Sequence, residues 1–301
     1  MSGLPDLFWP FSARVLSLVA AGAAVTALVR LLRRGSAAAR ASLWRRTFVW
    51  LGAAIAVLAF AGAGSVSWTL FVGFVTFQAA REVAAALRLF GHPADTVPAI
   101  LGAWAPLLVP LDAARTTGWM LTGVAALAAL AAAWARSRWR GLAAAGFIAL
   151  YVGVPLALLA GLRQRDGGFA LVVWTLAVPW VTDVAAMYGG MLFGRRPLAP
   201  RISPAKTVEG TLIGLAASVC TAALFRAAFA TVPWPAYVAA AITIGVAGTA
   251  GGLAASTIKR AARLKDFGAA LPGHGGVMDR IDGVLFAVPV TWLLMTTAHC
   301  G

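Results

Sequence analysis

The chain has 301 residues, 61% of them hydrophobic and 12% charged, with a net charge of +15. A soluble domain carries about 25% charged residues, and no water-soluble interior would hide this much apolar surface, so lipid is the expected solvent. The positive balance does not point to nucleic acid, because Arg and Lys fall in clusters between apolar runs, as in a polytopic membrane protein.

A bilayer core needs roughly 20 apolar residues per helix. In chain order, the stretches 11–32, 47–63, 67–89, 97–111, 117–135, 141–162, 169–192, 209–230, 235–255 and 282–299 qualify. The first is followed by Arg33 and Arg34 and reads as a retained helix, not a cleaved leader. The fourth is short and bounded by Pro98 and Pro110; as a half-span it would lower the count by one. The expected fold is all-α, a polytopic integral membrane protein of about nine to ten transmembrane helices, with no internal repeat. Tryptophans near span ends, Trp44, Trp68, Trp139 and Trp234, fit interfacial anchors. Cys220 and Cys300 show no metal-ligand spacing, and Cys220 reads as a small core residue.

Basic residues set the orientation. Segments 33–46, 136–140, 193–208 and 256–281 carry most of the Arg and Lys, and ten spans place all four on one face, the cytoplasm, with both termini opposite. The same face collects acids. Of ten Asp and Glu, three are Asp266, Asp279 and Asp282, while Asp183 and Glu209 flank the other long loop. Carboxylates near lipid are costly and tend to be functional. Several of them converging call for a cation, and oxygen-only donors favour Mg²⁺ or a similar hard ion.

Asp279 and Asp282 are three apart, a spacing that puts both on one helix face at the mouth of the last span. Gly268, Gly273, Gly275 and Gly276 permit a tight loop whose N–H groups approach an anion, and Pro272 stiffens it. Lys259, Arg260 and Lys265 supply charge for phosphates. Ser256 and Lys259 stand at i, i+3, a spacing compatible with a Ser–Lys nucleophile but weak as a signal. His274 lies between glycines in this charged loop. Upstream, SPAKTVEG brings Ser203, Lys206 and Thr207 to the start of a span, where Ser203 or Thr207 would also serve as a simple helix cap. Together these residues describe a site at the membrane surface for a divalent metal and a polyphosphate.

The run STIKRAARLKDFGAALPGHGGVMDRID, 256–282, closely resembles the signature of the phosphatidate cytidylyltransferases, the CDP-diacylglycerol synthases. The matching positions are Ser256, Lys259, Arg260, Lys265, Asp266, Pro272, His274, Gly275, Gly276, Asp279, Arg280 and Asp282. SPAKTVEG resembles the family's second element. Asp183 falls in its Asp-x-x-Ala-Tyr region, although here Met187 separates Ala186 from Tyr188. The resemblance covers about the last 120 residues, leaving 1–165 as transmembrane helices without a recognisable motif and 166–301 as the catalytic region.

The resemblance implies an enzyme, a nucleotidyltransferase that joins CTP and phosphatidate and releases pyrophosphate. Mg²⁺ is the implied cofactor, with a monovalent cation such as K⁺ as the implied helper ion. CTP, phosphatidate and the bilayer are the partners, and a homodimer stays open. The implied location is the inner, cytoplasmic membrane, with the active site on the cytoplasmic face. The catalytic set would be Lys259, Asp266, His274, Asp279 and Asp282. Substrate would be held by Ser203, Lys206, Thr207, Ser256, Arg260, Lys265, Gly275, Gly276 and Arg280. Metal would be bound by Asp183, Asp266, Asp279 and Asp282. Alternatives are a CTP-using enzyme acting on another lipid phosphate or a polyprenol, and, in a different class, a membrane transporter. The transporter reading expects charges at midplane in broken spans; here they gather in loops at one face.

The orientation is testable. A cysteine introduced beside Arg196 in a cysteine-free background should resist an impermeant thiol reagent added to intact cells and react once the membrane is opened. Reaction in intact cells would invert the topology.

Overall fold

The computed structural model describes residues 4–32, 37–89, 103, 140–270 and 275–297. The expected stretches 97–111, apart from residue 103, and 117–135, along with Trp139, Pro272, Gly273 and His274, lie outside the described residues. The other eight expected stretches are helical over most of their described residues. In chain order they are α1 (Leu4–Leu32), α2 (Ala37–Gly62), α3 (Ser65–Leu89), α4 (Arg140–Ile148), α5 (Val154–Leu162), α6 (Gly168–Phe193), α7 (Val208–Phe225), α8 (Trp234–Ala261), a single turn α9 (Met278–Ile281) and α10 (Val284–Thr297). A π-helical turn, Ala149–Gly153, joins α4 to α5, just ahead of Pro155, whose missing N–H breaks the regular ladder. Among the described residues, six helices are long and apolar enough to cross a membrane. This is a multi-pass helical protein, but the figure of nine to ten spans is not reached among them.

Two departures from the expected elements follow from local sequence. Segment 193–208, expected as a loop, contains a small antiparallel hairpin, β1 (Pro197–Ala199) with β2 (Ser203–Thr207), paired Pro197 to Thr207 and Ala199 to Ser203. Glu209, in the first turn of α7, accepts the Arg195 and Arg196 N–H groups at 3.0 and 3.2 Å and ties the hairpin's base to that helix. The last span also does not begin at Asp279. A short turn ends at Ile281, and α10 starts at Val284.

The bundle centres on α6. At its N-terminal end, Trp174 meets Tyr237 of α8 and Phe229 beyond α7, with ring centroids 5.3 and 5.2 Å apart. α7 runs antiparallel to α6, and close approach is set by small residues. A Cβ on Gly214 would lie 2.6 Å from the Thr182 carbonyl oxygen, and one on Gly210 would lie 2.5 Å from that of Ala186. In lipid, where apolar side chains gain nothing by leaving solvent, such backbone contact is the main source of helix association. At the same end as the aromatic cluster, buried Arg163 donates to the Ala61 carbonyl at the end of α2, 2.7 Å away, a favourable place for a cation.

Two side-chain expectations are corrected. Cys220 is exposed, not a core residue; it lies on a face of α7 turned from the bundle. Trp68 is 1% exposed, and its Nε1 donates to the Leu159 carbonyl, so it is a core residue and not an interfacial anchor. Trp234, in contrast, is exposed.

Gly214→Leu should lower the midpoint of thermal unfolding in detergent by several degrees, since overpacking costs about 1–3 kcal/mol. Gly22→Leu, where an added Cβ meets nothing within 4 Å, should not. Equal melting of both variants would remove the α6–α7 contact from this role.

Candidate active site

The site lies at the opposite end of α6 from the aromatic cluster, where α6 nears its C-terminus, α7 begins and α8 ends. Asp183 is ten residues before Phe193, so at 1.5 Å per residue it sits about 15 Å below the end of its helix. The polar layer therefore reaches deeper than a surface loop. Lys206, on β2, extends to Asp183 at 3.8 Å. It passes over Gly252 of α8, where a Cβ would lie 2.7 Å from its Nζ and 3.9 Å from Asp282 Oδ2. Glycine at 252 is thus what lets a lysine from the hairpin stand between an aspartate of α6 and one from the C-terminal motif. Asp282 also accepts from the Gly283 N–H at 2.7 Å and feels the charges of Asp183, Lys259 and Lys206.

A second knot lies beside it. Lys259, at the end of α8, donates to Asp279 Oδ1 at 2.7 Å, with only 13% and 3% of the two side chains exposed. Asp279 Oδ2 accepts from the N–H groups of Phe267 and Gly276 at 2.8 and 2.9 Å. Asp266 adjoins it across Gly275: a Cβ there would lie 2.8 Å from Asp279 Oδ2 and 3.0 Å from Asp266 Cβ. Gly275 has φ +83°, which favours glycine on backbone grounds as well.

The motif residues are thus brought to one region but not to one point. Among the described residues no three His, Cys, Asp or Glu side chains form a metal-sized group. Among the described residues the four expected acids stand as two pairs, Asp183 and Asp282 beside Lys206 and Asp266 beside Asp279, and both Asp279 oxygens accept hydrogen bonds, from Lys259 and from loop amides. The Ser256–Lys259 pair is likewise separated. The Ser256 hydroxyl donates to the Gly252 carbonyl at 2.7 Å, while Lys259 is committed to Asp279. Thr207 is the cap that its position suggested, accepting the Gly210 N–H at 3.1 Å. Ser203 is half-buried in the hairpin. Arg260 and Lys265 are exposed, and Arg260 Nε reaches the Ile202 carbonyl at 3.4 Å, a second link between hairpin and C-terminal motif. Arg280 lies 5.8 Å from the Trp50 ring centroid.

One residue escaped the sequence reading. Glu82 of α3, buried, accepts the N–H groups of Val277 and Met278 at 3.0 and 2.8 Å. With Asp279 holding the Gly276 N–H, the three consecutive amides 276–278 that lead into α9 each have a carboxylate acceptor. Gly268 and Gly276 make room for this carboxylate, since a Cβ on either would press against it. The available signal was an acid inside the apolar run FVTFQAAREVAAAL, but its partner is 195 residues away.

The fold and site define a polytopic helical membrane protein with paired acids and lysines gathered at one end of its bundle. The cytidylyltransferase family model matches residues 44–298, spanning both halves of the chain. Similar proteins include the phosphatidate cytidylyltransferase of Brucella melitensis, 37% identical over 241 residues, 76% of this chain and 84% of that protein. That of Mycobacterium leprae is 30% identical over 252 residues, 76% and 80% of the two chains, and that of Bacillus subtilis 36% identical over 155 residues, 50% and 58%. The chain belongs to the cytidylyltransferase family.

Glu82→Ala leaves two buried N–H groups without an acceptor, at about 1–3 kcal/mol each. Amide exchange across 276–279 should accelerate by roughly tenfold or more in the purified protein, and less in Glu82→Gln, which keeps one carbonyl oxygen. Unchanged exchange in both would show that Glu82 does not hold this turn.

Proposed function

We propose that this protein transfers the cytidylyl group of CTP to phosphatidate, giving CDP-diacylglycerol and pyrophosphate. The reading rests on one geometric observation, the meeting of both motif segments at Gly252, where Lys206 from one stands beside Asp282 from the other. The names of the relatives agree with it.

In this reaction a phosphate oxygen of phosphatidate forms a bond to the α-phosphorus of CTP, and the bond from that phosphorus to the bridging oxygen of pyrophosphate breaks. The nucleophile is already an oxyanion, so no covalent enzyme intermediate and no strong base are required. The obstacle is repulsion between anions, which positioned cations relieve. Lys206 supplies charge at the deep end. Arg260 and Lys265, exposed at the end of α8, face the side from which a nucleotide arrives. Lys259 acts differently: its ion pair with Asp279 holds the loop that carries Asp266 and Asp282.

The donor set suits Mg²⁺, which takes one or two carboxylates together with substrate phosphates. Asp183, with 64% of its side chain exposed, and Asp282 offer oxygen donors beside Lys206, whereas both Asp279 oxygens already accept hydrogen bonds from Lys259 and loop amides. Bound there, the ion would offset phosphate charge. The active site is assigned to the cytoplasmic face of the inner membrane. Arg195, Arg196 and Arg201 of the hairpin region and Arg260, Arg263 and Lys265 beyond α8 all lie at the site's end of the bundle.

Purified protein incubated with cytidine-labelled CTP, Mg²⁺ and phosphatidate should move label into the lipid phase. Lys206→Ala should lower kcat/KM by about ten- to a hundredfold, the equivalent of a charge-assisted contact of roughly 1.5–3 kcal/mol. Asp282→Asn should abolish turnover in a protein that still melts cooperatively. Absence of lipid label with the unmodified protein would overturn the reading.

A further inference from the structure

One buried hydroxyl from the N-terminal half of the chain stands beside the site. Tyr151 sits in the π-helical turn Ala149–Gly153 between α4 and α5, which the Val154 N–H closes by donating to the Ala149 carbonyl. Such turns are rare and occur frequently at functional sites. Here Tyr151, Val152 and Gly153 are all buried. The turn is pressed against residue 103: a Cβ on Gly153 would lie 2.5 Å from the Ala103 carbonyl oxygen, so glycine sets how closely the turn can approach.

The Tyr151 ring is held on two sides. It stacks on Phe147 of α4, with centroids 5.2 Å apart, and meets Phe286 of α10 edge to face at 6.4 Å. Phe286 lies four residues after Asp282, whose backbone is itself helical, with φ −53° and ψ −43°. Asp282 is therefore one turn ahead on the same face, and a helical side chain leans back towards the turn before it. The ring contact brings Tyr151 alongside Asp282, and its hydroxyl lies within reach of that carboxylate's charge. Tyr151 is only 7% exposed, and among the described residues its hydroxyl has no hydrogen-bond partner. A buried hydroxyl needs an acceptor, and an ionised carboxylate is among the strongest. Asp282, for its part, has Oδ1 fixed by the Gly283 N–H. One donor leaves a carboxylate free to turn about its last torsion, which has only broad preferences.

We propose that Tyr151 is a positioning residue for Asp282: in the working enzyme its hydroxyl donates to the carboxylate and fixes the oxygen that faces Lys206. The proposal rests on the cytidylyl-transfer reading and adds to it a member from a segment without any recognisable motif. The bond forms by rotation of the Asp282 side chain, the freer of the two, since Tyr151 is held between two rings. With the Gly283 amide and the Tyr151 hydroxyl both donating, the plane of the carboxylate is set, and Oδ2 stays at the slot over Gly252. Partners of this kind orient the groups that hold a metal or phosphate, and losing one typically costs about 10–100-fold in affinity or activity.

Tyr151→Phe removes the oxygen and keeps both ring contacts. Because the hydroxyl is unpaired in the resting protein, the midpoint of thermal unfolding should not fall, while kcat should drop by about tenfold or more. A kcat within about twofold of the unmodified protein, or a drop matched by a lower melting point, overturns the positioning role. A second readout needs no turnover. The chain has three tyrosines, so protein carrying carbon-13 at the tyrosine Cζ gives three resonances, assigned with Tyr151→Phe, Tyr188→Phe and Tyr237→Phe. Asp282→Asn should move the Tyr151 resonance and leave that of Tyr237, at the opposite end of the bundle, in place. A Tyr151 resonance unmoved by that substitution overturns the pairing. Failure of the unmodified protein to label lipid would instead defeat the cytidylyl-transfer reading, with the resonance still deciding the pairing.

Discussion

The bond between Lys259 and Asp279 is the contact on which the rest of this site depends. Both side chains are almost fully enclosed, and in a low-dielectric setting neither charge is tolerable alone. Removing one partner of such a pair typically costs about 3–5 kcal/mol, because the other is left buried and uncompensated. The loop that follows α8 is therefore held against that helix's last turn. Asp279 then uses its second oxygen to gather the Phe267 and Gly276 amides. The loop's path follows from where one carboxylate must find its donors.

Glu82 completes the same logic from the other half of the chain. A carboxylate projecting from an apolar helix needs hydrogen-bond donors, and the unpaired amides at the start of α9 need acceptors. Each meets the other's need, and two glycines leave space for the contact. The N-terminal helices are thus part of the site's frame. Glycine plays a comparable part along α8. A Cβ on Gly251 would meet the Asp282 carbonyl oxygen at 2.5 Å, and one on Gly283 would meet that of Gly248 at 3.0 Å. This backbone-to-backbone approach of α8 and α10 sets the height of Asp282, and Gly252 leaves the slot that Lys206 occupies.

On the proposed reading, such an arrangement suits two substrates of opposite solubility. Asp183 is open to solvent yet sits part way down its helix, so a water-borne phosphate and a lipid phosphate approach it from different sides.

Much of this was legible in the chain itself. Long apolar stretches need no partner to declare themselves, since each helix satisfies its own backbone and only lipid suits its side chains. The dense signature at 256–282 was equally local, and Thr207 betrayed its capping role by position. What the chain did not reveal was which charges pair. Asp266, Asp279 and Asp282 look alike in sequence, yet one is exposed, one is bound on both oxygens, and one stands beside Lys206. Trp68 and Cys220 were misread because hydropathy tells that a residue lies in a span, not which side of the helix meets the bundle. Glu82 was passed over because its partners are nearly two hundred residues away. The sequence alone determined the solvent, the helices and the inventory of charged groups, all properties of short stretches. Only the tertiary structure decided which carboxylates are spent on holding the loop and which remain for a substrate, because that depends on distances between groups that the chain's order does not encode.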